Sequence, residues 1–324
     1  MTHLTYLEAA VVGLVQGVSE LFPVSSLGHN VLIPALVGGS WEADLNVAKA
    51  ESPYLAFIVG LHVATALALL VYFRRDWVRI IGGFGSSIRE RRVETADQRL
   101  AWMIVLATIP VGLVGLVAEH PFRVLFGKPI VAGVFLAVNG VILIAGERFR
   151  RPDSLEADER IAASREADPV MAGGRATSTG GMGQSEEAAA IASDRRLSTM
   201  GYGRAIVIGS AQILALFAGI SRDGVTMVTG MRRGLSREDA VRFAFLLSTP
   251  VIFAAGVLKI PDLFGPLGQG IGGPILLGSV LSFIGAYAAI RFLVRYLRTN
   301  TLYPFGIYCL VAGLACVVYL GFVK

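Results

Sequence analysis

Long apolar runs, punctuated by clusters of arginine, set the pattern of this chain. Residues 53–73, 101–118, 129–146, 239–258, 273–293 and 302–321 each approach the ~20 apolar residues a helix needs to cross a bilayer. They are predicted as six transmembrane helices. Arg74, Arg75, Arg79, Arg89, Arg91, Arg92 and Arg99 follow the first, and Arg148, Arg150 and Arg151 follow the third. Arg232, Arg233, Arg237 and Arg242 precede or open the fourth, and Arg291, Arg295 and Arg298 close the fifth. Basic loops stay cytoplasmic, so these clusters face the cytoplasm. The segments 38–52, 119–128 and 259–272 carry few basic residues and face outward.

Two further apolar segments break this alternation if counted as single crossings. Residues 4–37 are interrupted at Pro23 and Gly28, and residues 204–231 at Gly219 and Gly224. Each is predicted as a re-entrant helix–loop–helix hairpin, the first entering from outside and the second from the cytoplasm. Irregular backbone at membrane depth requires surrounding protein or a water-filled cavity. One constant offset aligns Gly13 with Gly209, Gln16 with Gln212, Val24 with Ile220, Ser25 with Ser221 and Gly28 with Gly224. The expected architecture is therefore an all-α integral membrane protein built from an inverted-topology repeat. Repeat 1 covers 1–149 and repeat 2 covers 204–324, each a hairpin plus three spans, with the binding site expected at their interface.

Composition agrees. The chain is 54% hydrophobic and 16% charged, with a mean hydropathy of +0.63, whereas soluble domains carry about 25% charged residues. The net charge of +5 is accounted for by the loop arginines and gives no nucleic-acid signal. No cleavable signal peptide is expected, because the N-terminus lacks a basic region and a small-residue cleavage site. Cys309 and Cys316 lie about 10 Å apart along one helix axis, too far for an unstrained disulfide. Residues 150–203, rich in Asp, Glu, Arg, Ser, Gly and Ala, are expected to form a disordered cytoplasmic linker.

Candidate chemistry sits at the two helix breaks. Gln16 and Glu20, four apart, share a helix face. They form either a polar stripe toward the partner hairpin or a hard-cation site for Mg²⁺ or Ca²⁺, with Glu20 also placed to act as a base. Ser25, Ser26 and His29 follow Pro23. A serine there suits a helix N-cap, while a hydroxyl, an imidazole and a carboxylate together suit an activated nucleophile or water. Ser221, Arg222, Gly224 and Thr226 suggest an anion site at a helix start. Arg222 either grips phosphate bidentately or pairs with Asp223. His62, inside the first span, either lies near the pocket or is a satisfied core histidine, the second reading being favoured, and Tyr308 is expected to be a packing or aromatic-belt residue.

These motifs resemble the undecaprenyl-diphosphate phosphatase family, the bacitracin-resistance proteins. That family has an (E/Q)-x-x-x-E segment running into P-V-S-S-x-G-H, matched by Gln16 to Glu20 and Pro23 to His29. Its P-G-x-S-R-S-x-x-T segment is matched by Ala218 to Thr226, with Ala218 in place of proline and Asp223 in place of the second serine. Similar stretches at 72–76, 108–112 and 245–250 extend the resemblance over all but about 150–203. It implies hydrolysis of undecaprenyl diphosphate to the monophosphate carrier lipid and phosphate, in the bacterial plasma membrane, with the site toward the outer leaflet. It implies a divalent cation held by Gln16 and Glu20; Ser26 as nucleophile and His29 as its acid/base partner; and Ser25, Ser221, Arg222, Gly224 and Thr226 on the diphosphate, while Asp223, where the chain departs from the family, either weakens the Arg222 grip on phosphate or adds a metal ligand. The partners implied are the polyprenyl diphosphate lipid and the bilayer, with a homodimer compatible. A lipid transporter or flippase is the competing class, since paired hairpins in inverted repeats are a transporter design.

Overall fold

A computed structural model describes residues 4–45, 53–126, 128–167, 181–264 and 270–324. They are helical throughout, with no strand among the described residues. Five stretches are long and apolar enough to cross a membrane: 96–118 within α6 (Ala96–Phe126), α7 (Pro129–Arg148), 237–258 within α12 (Arg237–Phe264), α13 (Gly272–Thr299), and 303–323, where α14 (Tyr303–Val318) runs into a π turn. The predicted first span coincides with the 20-residue helix α4 (Pro53–Tyr72), whose described apolar stretch is Gly60–Tyr72.

The two interrupted segments are both helix pairs. Helix α1 (Tyr6–Leu21) opens with a capping box: Thr5 N–H donates to Glu8 Oε2 at 2.8 Å, and Glu8 N–H donates to Thr5 Oγ1 at 3.2 Å. It stops because Pro23 disfavours helical backbone at the residue before it, and Phe22 is extended at ψ 142°. Helix α2 (Ser26–Val37) restarts after the N-cap Ser25 and is followed by the short α3 (Gly39–Asp44). In the second segment, α10 (Tyr202–Ser210) tightens into a 3-10 turn (Ala211–Leu216), the chain reverses at Gly219 with φ +114°, and α11 (Arg222–Arg232) begins after the N-cap Ser221.

Close packing carries these pairs into the bundle. Helix α1 lies along α13, where a Cβ on Gly17 would sit 2.8 Å from the Ser282 Cα. The tips of the two helix pairs touch: a Cβ on Gly28 would fall 2.9 Å from the Gly219 Cα. In membranes such small-residue contacts replace the missing hydrophobic drive between helices. Asn139 of α7, fully buried, clamps both tips. Its Nδ2 donates to Pro23 O at 2.9 Å, and its Oδ1 accepts from Ser221 N–H at 3.0 Å.

Two expectations need correction. The arginine-rich stretch after the first span is not a plain loop but the amphipathic helix α5 (Arg74–Glu90). Residues 150–203 are not a disordered linker over their described part: they form α8 (Pro152–Ala167) and α9 (Gly181–Ser198), while 168–180 lie outside the described residues. The physical reason is docking. Arg196 makes a bidentate pair with Asp239 at 2.8 and 2.7 Å, and Asp194 receives Arg79 at 2.8 Å and Arg242 at 2.7 Å. Burial works against the Arg196 charge, but the Asp239 hydrogen bonds and charge outweigh it and raise its pKa. Few aromatics in a segment do not prevent folding when buried ion pairs anchor it.

Candidate functional site

Glu20 is the hub. It sits one turn before the α1 break, on the face turned toward the second helix pair. Its Oε2 accepts from Gln16 Nε2 at 2.8 Å and from the Ser26 hydroxyl, while its Oε1 accepts from Arg222 Nη2 at 3.0 Å. Gln16 is oriented in turn by Asn30, whose Nδ2 donates to Gln16 Oε1 at 2.5 Å. The i,i+4 spacing of Gln16 and Glu20 thus yields a side-chain bond, and Ser26 meets Glu20 because the chain reverses at Pro23.

Several predicted residues are therefore together: Gln16, Glu20 and Ser26 from the first tip, and Arg222 from the second. The alternative pairing of Arg222 with Asp223 does not occur; Arg222 reaches across to Glu20. Glu20 has a side-chain exposure of 3%, against 21% for Arg222 and 23% for His62. A ligand therefore reaches this buried carboxylate past the arginine and the histidine.

Other predicted residues are engaged locally. The Ser25 Oγ accepts from Gly28 N–H at 3.2 Å, with Ser25 itself at φ +69°, and the Ser221 Oγ accepts from Gly224 N–H at 3.1 Å. Both serines are N-caps. Thr226 Oγ1 donates to Arg222 O at 2.7 Å, one turn back on its own helix. Asp223 is buried, with one oxygen receiving the Ser248 hydroxyl of α12 and Oδ2 without a hydrogen-bond partner. His29 is engaged elsewhere than at Glu20. Its Nδ1 lies 2.7 Å from Ser25 O and its Nε2 lies 2.7 Å from the Tyr308 hydroxyl of α14.

Two residues at the site were not singled out as functional by sequence reasoning. His62, expected to be a satisfied core histidine, stands 3.6 Å from Glu20 Oε2 and 3.5 Å from Gln16 Nε2. Its Nδ1 is 2.8 Å from Ile58 O, which accepts only, so Nδ1 carries the proton and Nε2 faces the cluster. Asn139 joins the two tips. The available signal was the same for both: a polar side chain inside an apolar span is costly and needs a partner.

Among the described residues, no group of three or more His, Cys, Asp or Glu side chains is placed to hold a metal ion. The donors that fit a hard cation are Glu20, the unpartnered Asp223 Oδ2 and Gln16 Oε1, which accepts from Asn30 with one of its two lone pairs. Mg²⁺ is commonly held by one or two carboxylates completed by substrate phosphates, and this donor set suits that mode rather than a cage made of protein alone.

A family model, "Bacitracin resistance protein BacA", matches residues 9–315. A protein of Mycolicibacterium paratuberculosis called undecaprenyl-diphosphatase is 58% identical over 319 residues, covering 98% of each chain. Undecaprenyl-diphosphatase 2 of Frankia alni is 53% identical over 98% of each chain. Undecaprenyl-diphosphatase 2 of Burkholderia lata is 40% identical over 94% of this chain and 92% of its own.

Proposed function

The chain belongs to the bacitracin resistance protein BacA family, and we propose on that premise that it hydrolyses undecaprenyl diphosphate to undecaprenyl phosphate and inorganic phosphate. This is a multi-pass membrane protein acting on a lipid pyrophosphate, and the reaction recycles a carrier lipid for cell-wall synthesis and confers bacitracin resistance. The observation that carries the chemistry is the chain Ser26–Glu20–Arg222, which joins the two tips.

Phosphoryl transfer needs positioning and charge neutralisation above all. Ser26 attacks the terminal phosphorus while its proton passes to Glu20. A Ser26 Oγ–P bond forms, the bridging P–O bond breaks, and undecaprenyl phosphate leaves with the bridging oxygen. Water then cleaves the phosphoserine, releasing phosphate and restoring the serine hydroxyl. Arg222 turns from Glu20 to the transferring phosphoryl group, where its planar fork matches two oxygens. Gln16 holds the carboxylate in place, and His62 Nε2 faces the same Gln16 amide nitrogen. Ser25, Ser221, Gly224 and Thr226 serve the diphosphate through the shape of the tips they cap. His29 supplies a second titratable group within one turn of Ser26. A divalent cation held by Gln16 and Glu20, with Asp223 as a further carboxylate, would neutralise phosphate charge.

The arrangement is read as six spans and two oppositely inserted hairpins in an inverted repeat. Helix pairing supports it: α1 packs on α13 as α10 packs on α6, and α13 on α4 as α6 on α12. At equivalent positions, Gly13 abuts Gly278 and Gly209 abuts Ala107. The plasma membrane and an outward-facing site complete the proposal.

The test is phosphate release from undecaprenyl diphosphate by detergent-purified protein, with and without chelator. Release that stops with chelator and returns with Mg²⁺ or Ca²⁺ is expected. A folded protein that releases none sinks the reading in favour of a lipid transporter, which needs a membrane to cross. Release unaffected by chelator removes the cation.

A further inference from the structure

Beside the first tip lies an apolar groove of about 470 Å³ between α1, α2 and α14, walled by Leu14, Val15, Val18, Phe22, Val24 and Phe305. Its polar members are Ser19, His29 and Tyr308. The rings of His29 and Tyr308 stack across it, with centroids 5.8 Å apart and planes 7° from parallel. Hydrogen bonding assigns the protons. Ser25 O can only accept, so His29 Nδ1 carries its hydrogen, and Nε2 presents a lone pair. At 2.7 Å the Tyr308 O–H must then donate to Nε2. The same Ser25 carbonyl also receives the His29 backbone N–H at 3.3 Å. The imidazole therefore braces the peptide that links the strained Ser25 to Ser26.

We propose that Tyr308 is a positioning residue for His29, fixing its Nδ1–H tautomer and holding its basic nitrogen Nε2 in reserve at the groove mouth. The role of His29 rests on the phosphatase reading above; the tautomer and the pairing do not. Nε2 becomes available when the phenol turns its O–H to another acceptor, and a phosphoryl oxygen entering the groove mouth is such an acceptor. Substrate arrival and release of the base are thereby coupled through one hydrogen bond. The titratable group facing His29 is Tyr308, which itself lies near Cys309 and Cys316 of α14. The α1 wall contributes no charged side chain to the groove.

The test separates the pairing from the activity. In ¹⁵N-histidine-labelled full-length protein in detergent, one of the four histidines, assigned by its loss in His29→Gln, should show a protonated Nδ1 and a bare Nε2. Tyr308→Phe keeps the stacked ring but removes the donor, and should move the Nε2 resonance. A wild-type spectrum with the proton on Nε2, or no shift in Tyr308→Phe, overturns the proposal whatever the activity. In phosphate release, Tyr308→Phe should lower kcat about tenfold, leave KM within about twofold and displace one limb of the pH–rate profile. It should add nothing in a His29→Gln background. An unchanged pH profile, or losses that multiply in the double variant, also overturns it. Inactive wild type with the expected spectrum defeats the phosphatase reading alone.

Discussion

The two helix tips share a scaffold and differ in chemistry. Each has a serine N-cap receiving the N–H of a glycine three residues on, at 3.2 Å in the first and 3.1 Å in the second. Each gives one backbone group to Asn139, and the two meet where Gly28 abuts Gly219. Yet the position after the cap is Ser26 in one and Arg222 in the other, and Glu20 on α1 aligns with Leu216. The repeated features are those that build a tight helix reversal. The unrepeated ones are the hydroxyl, the carboxylate and the guanidinium. Two tips alike in backbone and unlike in side chains thus make one asymmetric cluster, with the carboxylate on one side and the fixed positive charge on the other.

The sharpest way to break that comparison is to remove each side's unique group. Glu20→Ala, in folded detergent-purified protein, should reduce phosphate release by about 100-fold or more, the range for loss of a general base. Arg222→Ala should lose at least about tenfold, ~1.4 kcal/mol of barrier, and Arg222→Lys should recover only part, because an ammonium lacks the bidentate fork. A double variant that exchanges the charges, Glu20→Arg with Arg222→Glu, should stay inactive. Recovery there would mean the two sides are interchangeable and the division of labour is mistaken.

The shared scaffold can be tested through its clamp. Asn139→Leu leaves Ser221 N–H unpaired in the protein interior and Pro23 O with only the weak Cys309 thiol donor, at about 1–3 kcal/mol for a buried group left without its partner. The melting temperature in detergent should fall by several degrees and activity should fall with it, since both tips lose a support. An unchanged melting temperature would show that the tips hold their shape without the clamp.

The smallest expected effect separates the two caps. Ser221→Ala and Ser25→Ala should each destabilise by about 1 kcal/mol. Glycine should do less harm at Ser25 than at Ser221. Ser25 sits at φ +69°, where a Cβ is strained, whereas Ser221 has an extended φ of −84°. Thermal shifts of Ser25→Gly and Ser221→Gly check this, and equal costs would mean that no strain is stored at the first tip.

Much of the frame was legible in the chain. Runs of apolar residues mark α6, α7, α12, α13 and α14, because twenty such residues in a row have few uses outside a bilayer. Pro23 and Gly219 mark the reversals, because a ring-locked proline and a φ of +114° both end a helix locally. The partnership of Gln16 with Glu20 follows from helix pitch alone. By contrast, α8 and α9 were hidden. Their composition is that of a solvated segment, and Asp239 with the arginines of distant helices gives them something to dock on. His62 looked like a core residue because nothing near it in the chain is charged.

The sequence by itself determined the membrane class, the two broken segments, the family and the chemical types gathered at the breaks. All of these depend on local patterns: hydrophobic length, backbone breakers and motif spacing. Only the tertiary structure decided the pairings. Arg222 bonds Glu20 rather than its neighbour Asp223, Ser26 is served by Glu20 rather than His29, and His29 is turned to Tyr308. Each depends on which helix faces cross at the tip contact. Burial then makes the choice exclusive, because a charged or polar group withdrawn from water must find its partner among the few side chains within reach.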